Sequence, residues 1–201
     1  MSTLYLIRHG ETEAKKEGLV CGITDSPLTA KGKEQMKKIG ASMKHISFDC
    51  AYISTLIRSK ESLSSFLLGY GKNLPVHILP ELREINYGKW ENKRAYEYDR
   101  AKRIFLREHP RINGLSISID KSSESYEKAG MRMKKALHQI LKMHPKETVL
   151  VINHSGNMRS LILTNQVSST RDILLEARKG DIDFGKIIIL KSTGQNLILE
   201  K

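Results

Sequence analysis

Two histidines stand just after short apolar runs, where a buried strand would end. The apolar residues 4–7 run directly into Arg8 and His9. The mostly apolar residues 148–152 stop shortly before His154. A neutral imidazole nitrogen is a good nucleophile towards phosphorus, and the planar fork of an arginine can hold two phosphate oxygens at once. The spacing therefore favours phosphoryl transfer at two strand ends.

The reaction would also need further positive charge and a proton for the leaving oxygen. Arg58 follows the predicted strand 48–53 and lies in the first turn of a predicted helix, so it can reach the same region. A carboxyl group whose pKa is raised can supply the proton. Glu84, Glu81 and Glu11 are the candidates, and their positions alone do not choose among them.

Each of these residues also has an ordinary structural interpretation when it is considered alone. A histidine after an apolar run is more often structural, Arg58 alone is more often a charge on a helix surface, and Glu84 alone is usually solvated. The functional interpretation depends on the chain bringing four such residues to corresponding ends of one sheet.

The rest of the chain alternates between strand-like and helix-like segments. Strands are predicted at residues 4–7, 48–53, 75–79 and 148–152, with a terminal hairpin from 184–190 and 197–199. Helices are predicted from the N-cap Thr29 to residue 46, at 56–68, 90–108 and 123–141, and from 157 onward. The alternation favours an α/β fold, a three-layer sandwich whose mostly parallel central sheet has helices on both faces. We expect residues 1–201 to form one domain, with both histidines at the sheet edge where ligands bind in such folds.

The chain is strongly basic, with 34 Lys and Arg against 22 Asp and Glu and a net charge of +12. This balance favours anionic partners, although a lysine-rich surface explains it equally well. Basic clusters at 93–94 and 132–135 would suit a non-catalytic nucleic-acid-binding module, but no nucleic-acid motif accompanies them. Four basic residues could steer an anionic substrate, whereas a solvated helix face is the simpler interpretation: Lys93, Arg94, Lys102 and Arg103. We therefore predict a small anionic substrate and no nucleic-acid partner.

The two cysteines, Cys21 and Cys50, match no zinc or redox spacing, and none of the seven histidines follows a His-Glu-x-x-His pattern. No metal and no cofactor is therefore predicted. The first strand begins too close to Met1 for a signal peptide, and no apolar run is long enough to span a bilayer. These features predict a cytoplasmic protein without a membrane partner, and they do not indicate an oligomeric state.

Five segments resemble the signatures of the histidine phosphatase superfamily, which includes the cofactor-dependent phosphoglycerate mutases. In chain order they are residues 6–12, 22–32, 54–58, 82–91 and 154–161. The resemblance implies a phosphoglycerate mutase-like fold and a phosphorylated His9. It also implies that Arg8, Arg58 and His154 hold the phosphoryl group, and that Glu84 donates the proton. Members of this family need no metal.

The resemblance further implies a set of substrate-binding positions: Lys15, Gly22, Ile23, Thr24, Ser155 and Gly156. Lys15 stands where many members have an asparagine that contacts the phosphate, so it would bind as a point charge. Ser155 replaces a usual glycine after the second histidine and is expected to crowd the pocket. Residues 123–125 follow the family's glycine-glutamate-serine phrase only loosely. None of these departures removes a catalytic group.

The segment between the predicted acid and the second histidine is shorter than in the mutases, and residues 88–91 are more similar to the phosphatase branch. The phrase at 21–29 resembles alpha-ribazole phosphatases, although many broad-specificity phosphatases share it. We therefore predict a phosphomonoester hydrolase acting through a phosphohistidine on a small phosphorylated metabolite, with alpha-ribazole phosphate as one candidate. Phosphoglycerate mutase-type transfer is the alternative. The substrate depends on residues 94–123, which include a predicted mobile loop at 111–121.

Overall fold

Six strands form the central sheet in the part of the chain that the computed structural model describes, residues 2–109, 116, 118–165, 187–193 and 196–199. They are β1 (Thr3–Arg8), β2 (Cys50–Ile53), β3 (Val76–Ile78), β4 (Thr148–Asn153), β5 (Ile187–Thr193) and β6 (Asn196–Leu199). Their order across the sheet is β3-β2-β4-β1-β5-β6. β1 to β4 are mutually parallel, β5 is antiparallel to β1, and β6 is antiparallel to β5. The mostly parallel sheet and its terminal hairpin are therefore confirmed.

Helices cover both faces of this sheet. They are α1 (Glu13–Lys16), α2 (Ala30–Ser42), α3 (Ile57–Tyr70), α4 (Ala95–Glu108), α5 (Tyr126–Met143) and α6 (Ser155–Asn165), with short 3-10 turns at Pro80–Leu82 and Gly88–Trp90. On one face Met36 of α2 and Phe66 of α3 are fully buried. On the other face Met133 of α5 and Met158 of α6 are fully buried. None of these helices in the described chain combines the length and apolar character that a membrane crossing requires.

β1 is buried on both faces because its apolar side chains alternate between the two helix layers. Leu4 and Leu6 pack towards α5 and α6, whereas Ile7 packs towards α2 and α3, and all three are fully buried. Each such side chain stabilises the fold by about 1.5–3 kcal/mol relative to an exposed position. The packing therefore fixes the level in the sheet at which β1 ends.

The register between β1 and β4 sets the geometry of the predicted site. Arg8 pairs with Asn153 at the last step of the parallel ladder. The backbone N–H of His9 then donates to the carbonyl of Asn153 across 2.9 Å. Because both strands end at the same level, His9 and His154 follow them side by side. The expectation that the two histidines meet at one sheet edge is confirmed.

The first turn of α2 packs so close to the backbone at residue 10 that only glycine fits there. A Cβ atom at this position would lie 2.4 Å from the carbonyl oxygen of Gly32. The predicted N-cap Thr29 accepts a hydrogen bond of 2.9 Å from the N–H of Gly32 and so fixes this turn. The glycine after His9 thus allows α2 to pack against the end of β1.

Two helices begin later than predicted because of local backbone features. Asn92 has a left-handed φ of 61°, so only the second part of the predicted helix 90–108 is α-helical. Ser125 accepts a hydrogen bond from the N–H of Lys128 and caps α5, which therefore begins after Ser125 and not at Ser123.

The remaining boundaries differ by a few residues. α6 begins at Ser155 instead of Asn157, and β2 and β3 are shorter than the strands predicted at 48–53 and 75–79. Parts of the predicted loop and of the predicted hairpin lie outside the described residues: 111–115, 117 and 184–186.

Candidate active site

A cavity of about 530 Å³ opens where β1 and β4 end. Six of the predicted site residues line it: Arg8, His9, Lys15, Arg58, Glu84 and Ser155. The other predicted residues do not line it: His154, Gly22, Ile23, Thr24 and Gly156. The structure therefore gathers a candidate nucleophile, three cations and a carboxyl group around one space, and the remaining predicted residues lie outside its lining.

His9 is buried and presents one defined nitrogen for reaction. Its Nδ1 lies 2.7 Å from the carbonyl oxygen of Gly10. Because a carbonyl can only accept, Nδ1 carries the ring proton and the lone pair is on Nε2. Burial lowers the pKa of His9 well below 6.5, and the charges of Arg58 and Arg8 lower it further. The imidazole is therefore neutral near pH 7, which is the form that can attack phosphorus.

His154 is fully buried behind the cavity wall, with its ring centroid 5.1 Å from that of His9. Arg58 Nε donates to its Nδ1 across 3.3 Å, so the proton is on Nε2, which lies 2.9 Å from Ser54 Oγ. Burial lowers the pKa of His154 well below 6.5, with further contributions from Arg58 and His9. Both nitrogens of His154 face protein atoms in this structure, and the contact with Nδ1 orients Arg58. The role in holding the phosphoryl group that the resemblance implies for His154 stays a prediction.

The guanidinium of Arg58 is almost completely buried, yet it reaches the cavity. Besides His154, it donates to the carbonyl oxygen of Thr24 across 3.0 Å and to the carbonyl oxygen of Gly22. Asp25 adds a carboxylate oxygen at 3.8 Å from Nη1. Gly22 and Thr24, which were predicted to bind substrate, therefore contact Arg58 through their carbonyl groups and hold it in place.

The carboxylate of Glu91 accepts hydrogen bonds from the backbone N–H groups of the same loop. The sequence analysis assigns no role to this residue. Its two carboxylate oxygens accept hydrogen bonds of 2.9–3.1 Å from the N–H groups of Gly22, Ile23 and Thr24. A fourth bond of 2.9 Å comes from the N–H of Tyr87. These N–H groups are directed at Glu91 and not at the cavity. The only signal for Glu91 was its place in the segment 82–91, because no local pattern connects it with the loop.

Glu84 is buried at the amino end of α6. Its Oε1 accepts from the N–H groups of Ile85 and Asn157, and its Oε2 accepts from the N–H of Gly156, each across 2.9 Å. A negative group is favoured at a helix amino terminus. A Cβ atom at Gly156 would lie 2.5 Å from Glu84 Oε1, so glycine is needed there to admit the carboxylate. Gly156 therefore positions Glu84 and does not line the cavity itself.

The other two carboxyl candidates lie elsewhere. Glu11 contacts Thr29 Oγ1 at 3.1 Å and Lys31 Nζ at 3.2 Å, at the start of α2. Glu81 is exposed. Among the three candidates that the sequence left open, only Glu84 lines the cavity.

Lys15 and Ser155, the two departures from the family pattern, both line the cavity. Lys15 is exposed on α1, a position that suits a point charge at the rim. Ser155 is half-buried at the first position of α6. The expected crowding by Ser155 still leaves the cavity about 530 Å³ of volume.

The outer part of the cavity holds a buried lysine that sequence reasoning placed on a solvated helix face. Lys102 is only 6% exposed, and its Nζ lies 3.4 Å from the Tyr126 hydroxyl and 4.5 Å from the centre of that ring. No salt bridge within the described residues includes it. Burial alone would raise the pKa of Tyr126, but Lys102 and Arg159 lower it overall. Positive charge therefore extends well beyond the phosphate end of the cavity.

The two buried histidines should make the stability of the protein depend on pH. In the unfolded chain a histidine has a pKa of about 6.5, whereas His9 and His154 have folded pKa values well below 6.5. Below pH 6.5 the unfolded chain binds protons that the folded chain does not. The free energy of unfolding should thus fall as the pH drops from about 6.5 towards the folded pKa values, by up to about 1.4 kcal/mol per pH unit for each histidine.

Urea denaturation between about pH 7.5 and about pH 5 measures the slope of the free energy of unfolding against pH. His154→Gln should make the slope shallower, while the matched control His45→Gln, at an exposed position, should leave it unchanged. An equal slope in all three proteins would show that the buried histidines do not control the pH dependence.

Comparison with known proteins gives a consistent result. The family profile described as "Histidine phosphatase superfamily (branch 1)" matches residues 4–173. The chain is 30% identical over 159 residues to the adenosylcobalamin/alpha-ribazole phosphatase of Escherichia coli K12, covering 79% of this chain and 76% of that protein. It is 28% identical over 165 residues to phosphoserine phosphatase 1 of Hydrogenobacter thermophilus, covering 80% and 74%. The crystal structure of phosphoglycerate mutase from Bacillus anthracis superposes with a TM-score of 0.84 at 24% identity, over 99% and 91% of the two chains.

The structural match confirms the predicted phosphoglycerate mutase-like α/β fold. The profile and the phosphatase relatives confirm the predicted family and its enzyme class. In this family the reaction passes through a phosphohistidine. This chain belongs to the histidine phosphatase superfamily.

Proposed function

We propose that the protein hydrolyses a small phosphomonoester by transferring the phosphoryl group first to Nε2 of His9 and then to water. The observation that carries this proposal is the fixed tautomer of His9, whose Nδ1 proton is engaged by the Gly10 carbonyl in a buried cavity wall. A lone pair is thereby held on the nitrogen that must attack. The low pKa of His9 keeps this nitrogen unprotonated near neutral pH.

Glu84 acts as the general acid in the first of two steps and as the general base in the second. In the first step Glu84 is in its protonated form. A bond forms between Nε2 and phosphorus, the ester P–O bond breaks, and Glu84 gives its proton to the leaving oxygen. In the second step Glu84 takes a proton from water, the water oxygen bonds to phosphorus, and the P–N bond breaks. Arg8 and Arg58 neutralise the phosphoryl oxygens, while Lys15 attracts the ester at the rim. Guanidinium groups supply the positive charge, so the steps need no metal.

The nucleophile can be tested by substitution and by trapping. His9→Ala should lower phosphate release by at least about a thousandfold, because the first covalent step is lost. Phosphate release from a panel of phosphomonoesters in the presence of a chelator measures this effect. Acid-labile, alkali-stable phosphate on the quenched native protein should map to His9. The control His138→Ala, on α5, should retain turnover and labelling. Labelling of a different residue, or full activity of His9→Ala, would contradict the assignment.

The role of Glu84 can be tested with leaving groups of different basicity. A poor alkoxide leaving group needs a proton, whereas an activated aryl oxide does not. Glu84→Gln should therefore reduce kcat/KM for an alkyl phosphate by about 10²–10⁴-fold and affect an aryl phosphate much less. Circular dichroism checks that the variant is folded, since Glu84 also accepts three backbone hydrogen bonds. Equal losses on both esters would assign Glu84 a structural role only.

The aromatic side chains of the cavity bear on the identity of the substrate. Tyr87, Tyr98 and Tyr126 line its outer part, and the rings of Tyr87 and Tyr98 meet edge to face at 5.2 Å. Aromatic side chains of this kind favour an aromatic group beside the phosphate. This wall, together with the similarity to the Escherichia coli enzyme, supports alpha-ribazole phosphate as a substrate.

A second candidate is a phosphomonoester that carries another anionic group. Six cationic side chains line the cavity, against the carboxylates of Glu84 and Asp99: Arg8, Lys15, Arg58, Lys102, Arg103 and Arg159. A phosphate neutralises at most two of them, so Lys102 and Arg159 suit a carboxylate further along the substrate. Phosphoserine and phosphoglycerate have this form. Phosphoglycerate mutase-type transfer remains the alternative reaction, and it differs only in returning the phosphoryl group to a second hydroxyl.

Matched substrates distinguish the two candidates. O-phosphoserine and O-phosphoethanolamine differ by one carboxylate, and a charged hydrogen bond of this kind is worth about 1.5–3 kcal/mol, or about 10- to 100-fold. If Lys102 binds a second anionic group, Lys102→Met should remove the difference in kcat/KM between phosphoserine and phosphoethanolamine. The kcat/KM for phosphoethanolamine should stay within about twofold of the native value. The control Lys93→Met changes an exposed lysine outside the cavity lining and should have no such effect. An unchanged preference in Lys102→Met would exclude this role and favour alpha-ribazole phosphate.

A further inference from the structure

A cluster of one thiol and two imidazole side chains lies at the end of the sheet opposite to the cavity. Ser54, just after β2, contacts His154 at the cavity end, whereas Cys50 begins the same strand. His77 lies on the neighbouring strand β3, paired with Tyr52. His144 follows α5 and precedes β4. The fold therefore brings one thiol and two imidazoles together from three separate elements, which is why no spacing motif predicted the cluster.

Each of the three side chains could offer one ligand atom to the same ion. One ligand atom from each of Cys50, His77 and His144 lies within 4.8 Å of the others. Cys50 Sγ is 3.7 Å from His144 Nε2. In a tetrahedral zinc site with Zn–S of about 2.3 Å and Zn–N of about 2.0–2.1 Å, sulfur and nitrogen are about 3.5–3.6 Å apart. The separation of 3.7 Å between Cys50 Sγ and His144 Nε2 is close to that spacing. Ligand atoms that are up to 4.8 Å apart would have to approach one another by about 1 Å when the ion binds.

The hydrogen bonds of His144 also suit a metal ligand. Glu147 Oε2 lies 2.8 Å from Nδ1, so Nδ1 carries the proton and Nε2 holds the lone pair. Cys50 Sγ lies at similar distances from the two ring nitrogens, 3.7 Å from Nε2 and 3.8 Å from Nδ1. The Tyr52 hydroxyl donates to Nε2 across 2.8 Å. A carboxylate behind a histidine is the usual outer partner of a zinc-bound imidazole. Tyr52 marks the direction in which Nε2 would bind a cation.

We propose that Cys50, His77 and His144 form a site for a divalent transition-metal ion such as Zn²⁺, separate from the catalytic cavity. Cys50 binds as the thiolate and its proton passes to the solvent, both histidines bind as neutral imidazoles, and Nε2 of His144 exchanges the Tyr52 hydroxyl for the metal. Water completes the fourth position. The ion joins the short edge strand β3 and β2 to the end of α5, so its effect is on stability and not on turnover.

Cobalt titration of the chelator-treated full-length protein tests the site directly. Thiolate-bound Co²⁺ has a charge-transfer band in the near ultraviolet and visible bands typical of tetrahedral coordination. The native protein should bind one Co²⁺ with both signals, and Zn²⁺ should displace it. Cys50→Ser should lose the charge-transfer band, and His77→Gln, at a half-buried position, should weaken binding at least tenfold. Cys21→Ser and His138→Gln are the matched controls and should keep the signals.

Thermal denaturation supplies a second readout. Zn²⁺ should raise the melting temperature of the native protein and of the two controls, and it should raise that of His77→Gln less. Phosphate release in chelator should be the same in the native protein and in His77→Gln. A native protein without the charge-transfer band, or a band that persists in Cys50→Ser, would overturn the proposal. Phosphate release by His9→Ala tests only the hypothesis about the catalytic cavity. The hypothesis of a metal site can therefore be contradicted while the catalytic hypothesis stands, and the reverse is also true.

Discussion

The buried guanidinium of Arg58 is the charge on which the arrangement of the cavity depends. A charge that is almost completely removed from water needs partners on every side, and loss of one partner of a buried charge costs about 3–5 kcal/mol. Arg58 finds these partners in His154 and in the carbonyl groups of the loop 22–24. The loop is therefore held to the strand ends by the same group that presents positive charge to the substrate.

Glu91 completes this arrangement from the other side of the loop. The carbonyl groups of Gly22 and Thr24 face Arg58, and their N–H groups face the carboxylate of Glu91. A loop without regular secondary structure thus has both kinds of backbone polar group satisfied, as buried backbone requires. The positive charge of Arg58 also lowers the pKa of His9 after the effect of burial. The guanidinium of Arg58 therefore holds the loop in position, lowers the pKa of the candidate nucleophile and offers positive charge to the phosphate.

The parts of this site that could be predicted from the sequence are those encoded locally. The apolar run before Arg8 predicts a buried strand, Thr29 predicts a helix start, and the order of strands and helices predicts the sheet edge where His9 lies. Glu91 could not be assigned because its partners lie about seventy residues earlier in the chain. The burial of Lys102 depends on the packing of α4 beside Tyr126, and a charged helix pattern gives no indication of this packing.

Different charged groups surround the two proposed sites at opposite ends of the sheet, which separates the two proposed functions. At the carboxyl ends, arginine and lysine side chains outnumber the carboxylates in the cavity lining, so this end attracts phosphate esters and repels free metal cations. At the amino ends, Glu147 and Asp49 lie near Cys50, and the same physics attracts a cation to the thiol and imidazoles. A phosphoryl transfer that uses arginine in place of metal can therefore coexist with a metal ligand set in one small sheet. The cation that stabilises the second end would have little tendency to enter the first.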